Sequence, residues 1–132
     1  TTAALSDDKE EMVAFATYAM GGVTFGYGQS YESLGNRSSG VATVEAYENT
    51  MWGVSFAVND NLSVSYGEFE SEKDMNSSAS VNVTMETEGF SVSYNLGGAT
   101  LKIAHNELTN VNYLSTTGQS DEVTALELSL AF

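Results

Sequence analysis

Apolar and polar residues alternate with a period of two along most of this chain. Trp52, Val54, Phe56 and Val58 alternate with Gly53, Ser55 and Ala57. Leu62, Val64 and Tyr66 alternate with Ser63 and Ser65, and Phe90, Val92, Tyr94 and Leu96 with Ser91, Ser93 and Asn95. Successive side chains of a strand point to opposite faces, so this is a strand signature; no long segment carries the 3.6-residue period of a helix. The pattern predicts seven strands, near residues 12–20, 23–31, 50–58, 62–71, 81–96, 100–108 and 122–132. The first is ambiguous, with apolar residues on both faces. The last has Leu126, Leu128, Leu130 and Phe132 on one face and Ala125, Glu127, Ser129 and Ala131 on the other. Chain ends usually fray in water. An unbroken apolar stripe running to a terminal aromatic instead suits a strand facing lipid, with the last strand of a soluble sandwich as the alternative.

The connections alternate as strictly as the residues. Gly21-Gly22, Asn59-Asp60-Asn61 and Gly97-Gly98-Ala99 are short turn sequences, whereas the stretches 32–49, 72–80 and 109–121 are long and polar. In an up-and-down antiparallel meander, every short turn then falls at one end and every long loop at the other. Outer-membrane barrels have that arrangement, with periplasmic turns and extracellular loops. Alternation alone does not say which face meets lipid, since a lipocalin-like barrel turns its apolar face inward. Lipid outside is favoured by the Ser, Gly, Thr and Asn of the other face, which suit a watery lumen. Phe25, Phe56, Tyr94 and Phe132, all near the short-turn end, would form an aromatic girdle. Closure into a barrel would also remove edges that otherwise invite aggregation in a chain without proline.

Two strands change phase. Val81, Val83 and Met85 are odd-numbered, whereas Phe90, Val92 and Tyr94 are even; a β-bulge around Glu88-Gly89 would absorb the difference. A similar shift after Gly67 would turn Phe69 outward and Glu68 and Glu70 inward. The alternative is that these strand ends project beyond the membrane, where facing no longer matters.

Composition narrows the function. The 132 residues make one domain or part of one, with no Cys, no Pro and a single His, His105; disulfide scaffolds, Cys-based zinc sites and thiol catalysis are excluded. The net charge of −14 repels phosphate backbones and argues against nucleic-acid binding. No stretch approaches the ~18 apolar residues of a transmembrane helix, as expected where only alternate residues face lipid. The segment 1–9 reads as neither a signal peptide nor a strand.

The candidate chemistry is that of a pore wall. Lys102 lies out of phase with Leu101 and Ile103, and Glu127 with Leu126 and Leu128, so both would face the lumen on consecutive strands. There they would impose a transverse field on solutes or form a structural ion pair. Glu68 and Glu70 are weaker candidates for an outer vestibule. His105 shares the parity of Leu101 and Ile103 and would sit at the outer lipid interface. No catalytic residue, metal or cofactor is expected. The acidic run Glu72-Lys73-Asp74 lacks EF-hand spacing, the Asn-x-Ser/Thr matches are of the kind chance produces, and Gly26-Tyr27-Gly28 precedes no helix.

The order of segments resembles the second half of the general bacterial porins, of the alphaproteobacterial type. The resemblance rests on Met12-Val13-Ala14-Phe15-Ala16-Thr17-Tyr18 with Gly22-Val23-Thr24-Phe25-Gly26-Tyr27, and on Trp52-Gly53-Val54-Ser55-Phe56. It rests most specifically on the hairpin Ser91-Val92-Ser93-Tyr94-Asn95-Leu96-Gly97-Gly98-Ala99 and the ending Leu128-Ser129-Leu130-Ala131-Phe132. It implies an all-β, antiparallel, up-and-down transmembrane barrel of sixteen strands, about seven of them here, assembled as a homotrimer in outer-membrane lipid. It also implies that Phe132, Leu130 and Leu128 form a signal read by the barrel-assembly machinery. The family's inward-folded constriction loop lies in its first half, so its selectivity residues are not carried over. Seven strands do not close a barrel alone, and the remaining strands would come from the same or another chain. An eighth strand within 1–10 is disfavoured by Asp7-Asp8-Lys9-Glu10, which would put charges on both faces. The expected function is a bacterial outer-membrane porin for passive diffusion of small hydrophilic solutes, cation-preferring because of the acidic balance. The alternatives are a non-conducting outer-membrane barrel and a secreted β-rich adhesion or structural module.

Overall fold

The computed structural model describes residues 8–35, 43–76, 80–116 and 119–131. It contains β1 (Glu10–Met20), β2 (Val23–Ser33), β3 (Val44–Ala57), β4 (Leu62–Met75), β5 (Val83–Asn95), β6 (Ala99–Thr109), a 3-10 turn η1 (Val111–Tyr113) and β7 (Ser120–Leu130). The strands form a single sheet in sequence order, each antiparallel to the next. All seven strands read from the alternation are therefore present.

Local chemistry explains the turns at one end. Gly21 and Gly97 take φ of 61° and 87°, a region a Cβ makes costly. The β3–β4 turn is instead held by Asn59, whose Oδ1 accepts from the backbone N–H of Asn61 and of Leu62, each at 2.9 Å. The long connections lie at the other end and are shorter than the sequence pattern suggests. β3 starts at Val44 and β4 runs to Met75, pairing Tyr47 with Lys73 and Glu48 with Glu72. Backbone ladder bonds continue where apolar alternation has stopped, because the ladder needs only N–H and C=O groups.

The expected bulges are absent. Gly67 pairs with Gly89, Glu68 with Glu88 and Phe69 with Thr87 in unbroken register, and the one irregularity in these ladders falls between Val44 and Ala46. The change of phase is thus chemical and not geometric: the backbone keeps its alternation while the residue types swap faces.

A one-layer sheet has no interior of its own. Among the described residues only Ala46, Ser71 and two glycines, Gly28 and Gly35, are buried, with Ala46 and Ser71 each 2% exposed. The chain exposes 9303 Å², against roughly 6,700 Å² for a compact monomer of its 14.1 kDa mass. Large apolar side chains contribute to it: Phe15 is 81% exposed, Leu126 71% and Leu128 60%.

Candidate functional site

Directly opposed residues share a face, so the registers sort the side chains into rows. On the face called A, the row nearest mid-strand is Tyr18, Phe25, Val54, Tyr66, Phe90, His105 and Thr124. The next row toward the short turns is Met20, Val23, Phe56, Val64, Val92, Ile103 and Leu126, followed by Leu62, Tyr94, Leu101 and Leu128. Along β6 this apolar band runs from Ala99 to His105, roughly 20 Å at about 3.4 Å per residue. Phe25, Phe56 and Tyr94, expected in one girdle, stand in three successive rows of it. Phe132 lies outside the described residues. A fuller aromatic row is the mid-strand one, where the Phe90 and His105 rings sit 5.7 Å apart and Tyr66 packs 5.6 Å from Trp52.

Face B of the same half is small and polar. Thr24, Ser55, Ser65, Ser91 and Ala104 form one row, with a 2.7 Å bond between the Ser65 and Ser91 hydroxyls. Ser63, Ser93, Lys102 and Glu127 form the next. Lys102 and Glu127 are thus directly opposite, as neighbouring positions on consecutive strands require. Glu127 accepts from Ser129 Oγ at 3.1 Å, and the ion pairs formed among the described residues are those of Lys9 with Glu11 and Glu32. Above these rows four glycines stand in line, Gly26, Gly53, Gly67 and Gly89. A Cβ at Gly67 would lie 3.0 Å from the Trp52 carbonyl oxygen.

Beyond the glycines the character of both faces inverts. Face A carries Glu68, Glu88, Glu107 and Glu122 side by side on β4 to β7, with Glu70 opposite Glu86 in the next row. No lysine or arginine among the described strand residues shares this face. Like charges directly opposite destabilise a sheet, and the neighbours answer in part. Trp52 Nε1 donates to Glu68 Oε2 at 3.0 Å, and the Tyr66 hydroxyl contacts Glu68 Oε1 at 2.7 Å and Glu88 Oε2 at 2.9 Å. Glu107 is pushed above the usual carboxylate range, first by its hydrogen bond with Glu88 and then by the charge of Glu122. Asp74, near the end of β4, is pushed up by burial and by Glu72. His105 Nδ1 lies 2.8 Å from Thr124 Oγ1. His105, Glu107 and Glu122 each bring one possible ligand atom within 4.8 Å of the others, in a half-buried to exposed setting.

Face B on this side of the glycines carries the apolar Phe15, Met51, Phe69, Met85 and Leu108 among the polar Asn49, Ser71, Lys73 and Thr87. Tyr113 of η1 folds onto it. Its hydroxyl is 2.7 Å from Ser71 Oγ, its ring 5.6 Å from that of Tyr47, and the Lys73 ammonium stands 5.1 Å from its centroid.

The register therefore divides the four pore-lining candidates. Lys102 and Glu127 share the polar face; Glu68 and Glu70 share face A with Val64 and Tyr66, because the phase shift that would have turned them has no bulge behind it. Phe69 likewise keeps the face of Ser63 and Ser65. Sequence reasoning missed Glu88, Glu107, Glu122 and Tyr113. The glutamates all follow the parity of their strands' apolar residues and are found by aligning the hairpins through their turns. Tyr113 carries no such signal, since it lies in a loop. No family model matches the sequence, nor does any curated protein or solved structure.

Proposed function

We propose that this sheet is a section of the wall of a bacterial outer-membrane barrel. The short-turn half of face A meets lipid, and face B lines a water-filled channel for passive diffusion of small hydrophilic solutes. The observation that carries this reading is the two-sidedness of that half. A continuous, exposed apolar surface from Tyr18 and Met20 to Leu126 and Leu128 lies back to back with a Ser/Thr/Gly surface bearing Lys102 and Glu127. A barrel in lipid needs that inversion of the soluble pattern. Trp52, Tyr27, Tyr66 and Phe90 cluster where the apolar band gives way to the acidic rows, as aromatics do at a membrane–water boundary. Glu68, Glu88, Glu107 and Glu122 then stand on the watery side of that boundary.

Further strands, from the same chain or another, complete the barrel, sixteen in all if it follows the porins it resembles. A homotrimer and recognition of Leu128, Leu130 and Phe132 by the barrel-assembly machinery belong to the same proposal. The channel does no covalent chemistry and uses no cofactor. Its acidic balance, net −14, favours cations by raising their concentration at the mouths. Reversal potentials of the reconstituted protein under a salt gradient test this: a cation-selective value supports the proposal, and an unselective or anion-selective pore refutes the preference.

A second reading, a non-conducting barrel, is favoured by the apolar residues of face B beyond the glycines, where Met51, Phe69, Met85 and Leu108 would suit a filled lumen. A protein that inserts and folds but passes no current would select it.

A further inference from the structure

We infer that residues 110–113, at the start of the β6–β7 connection, form a constricting element of this wall, held on its face B by Tyr113 and presenting Lys73 at that level, a role that presupposes the channel proposed above. A loop joining β6 to β7 would be expected to stand over those strands or open into solvent. Tyr113 instead reaches Ser71 and Lys73 of β4 and Tyr47 of β3. With strands about 4.8 Å apart, that is a displacement of roughly 10–14 Å across β5. Tyr47, Lys73 and Ser71 alternate with the face A residues Glu48, Glu72 and Glu70, so the loop lies on face B, the face assigned to the lumen.

The local backbone supports a fixed and not a swinging loop. Asn110, Asn112 and Tyr113 take φ of 53°, 58° and 58°; asparagine enters this left-handed region readily, but a tyrosine holds it only where its surroundings over-determine it. The surroundings do so. Asn110 Nδ2 donates to the Thr84 carbonyl at 2.8 Å, and the Val111 N–H donates to the Gln119 carbonyl at 3.0 Å, closing the loop base. Ser71, the partner of the Tyr113 hydroxyl, is 2% exposed. The ring packs against Tyr47, and its electron-rich face fixes the Lys73 ammonium. A loop so held narrows the channel from one side, and a lysine there opposes the cation preference set by the acidic balance.

The chain has no cysteine, so paired cysteines report placement without background. In the full-length reconstituted protein, Ser71→Cys with Tyr113→Cys should join through a short bis-maleimide. Glu72→Cys with Tyr113→Cys, whose β4 member lies on the opposite face, should not. Linkage of the second pair and not the first would overturn the loop's placement, whether or not the protein conducts. In planar bilayers, Tyr113→Ala should raise single-channel conductance, because the channel loses a side chain that narrows it. Tyr113→Phe, which keeps the ring and loses the Ser71 bond, should raise it less. Lys73→Gln should shift the reversal potential toward stronger cation selectivity. Unchanged conductance in Tyr113→Ala overturns the constriction while leaving the channel intact. Linkage of the Ser71→Cys/Tyr113→Cys pair as expected, in a protein whose wild type folds into the bilayer yet never conducts, overturns the channel, and the constriction with it.

Discussion

Val92→Arg tests the lipid-facing assignment at a single site. Val92 stands between Val64 and Ile103 in an apolar row, with the Phe90 and Tyr94 rows on either side. Two further steps along β5 separate it from the nearest carboxylate on its own strand and face, Glu88, so an arginine there cannot easily exchange lipid for an acidic partner. Val54 is a poorer choice, because its row adjoins Trp52 and Glu68. Arginine on the lipid face of a barrel costs ~2–4 kcal/mol at the bilayer midplane, which is roughly a 30- to 700-fold shift in the folding equilibrium at 1.4 kcal/mol per decade. Ser55→Arg is the companion. It sits on face B between Thr24 and Ser65, with small polar neighbours, where channel water would solvate the guanidinium at a cost well under 1 kcal/mol. Urea titration of folding into phospholipid vesicles, read by heat-modifiable gel mobility, gives both values. Equal penalties at the two sites would refute the assignment, since they describe a sheet packed tightly on both sides.

Removing the positive charge with Lys102→Gln should strengthen cation selectivity and leave folding unchanged, as reversal potentials and gel mobility would show; an unaltered reversal potential would mean that Lys102 does not face the permeating ions. Glu107 has its folded-state pKa raised from 4.5. Its charged form is therefore disfavoured in the fold: below 4.5 it costs nothing, and the penalty enters as pH rises through the folded value. Amide exchange at the outer ends of β6 and β7 should then be slower at about pH 5 than at about pH 7.5 after correction for intrinsic rates, and Glu107→Gln should flatten the difference. The opposite pH trend would remove the repulsion from the account. Deleting Phe132 should lower the amount of folded barrel in cells more than the conductance of molecules that assemble, and undiminished assembly would count against a terminal assembly signal.

The number, order and pairing of strands were legible because each inner strand half alternates strictly and each short turn carries Gly or Asn where the backbone needs it. The bulge reading of the two phase changes failed for a physical reason. Seeing apolar residues move from even to odd positions past Gly67 and Gly89, one looks for an inserted residue; the register shows none. On the proposed reading, the residues changed faces because the environment they fit changed, from lipid outside and water inside to water outside and a more apolar inner surface. Ladder hydrogen bonds are blind to that change. The Lys102–Glu127 opposition could be anticipated from parity, but not its register. The acidic rows needed four registers at once, and Tyr113 needed the path of a loop that no periodicity describes.

Whether this sheet walls a channel is decided by planar-bilayer recording of the intact protein. A channel should give stepwise conductance increments on insertion and a cation-selective reversal potential under a salt gradient. Protein that folds into the bilayer with the heat-modifiable mobility of a barrel, yet gives no increments, would contradict it.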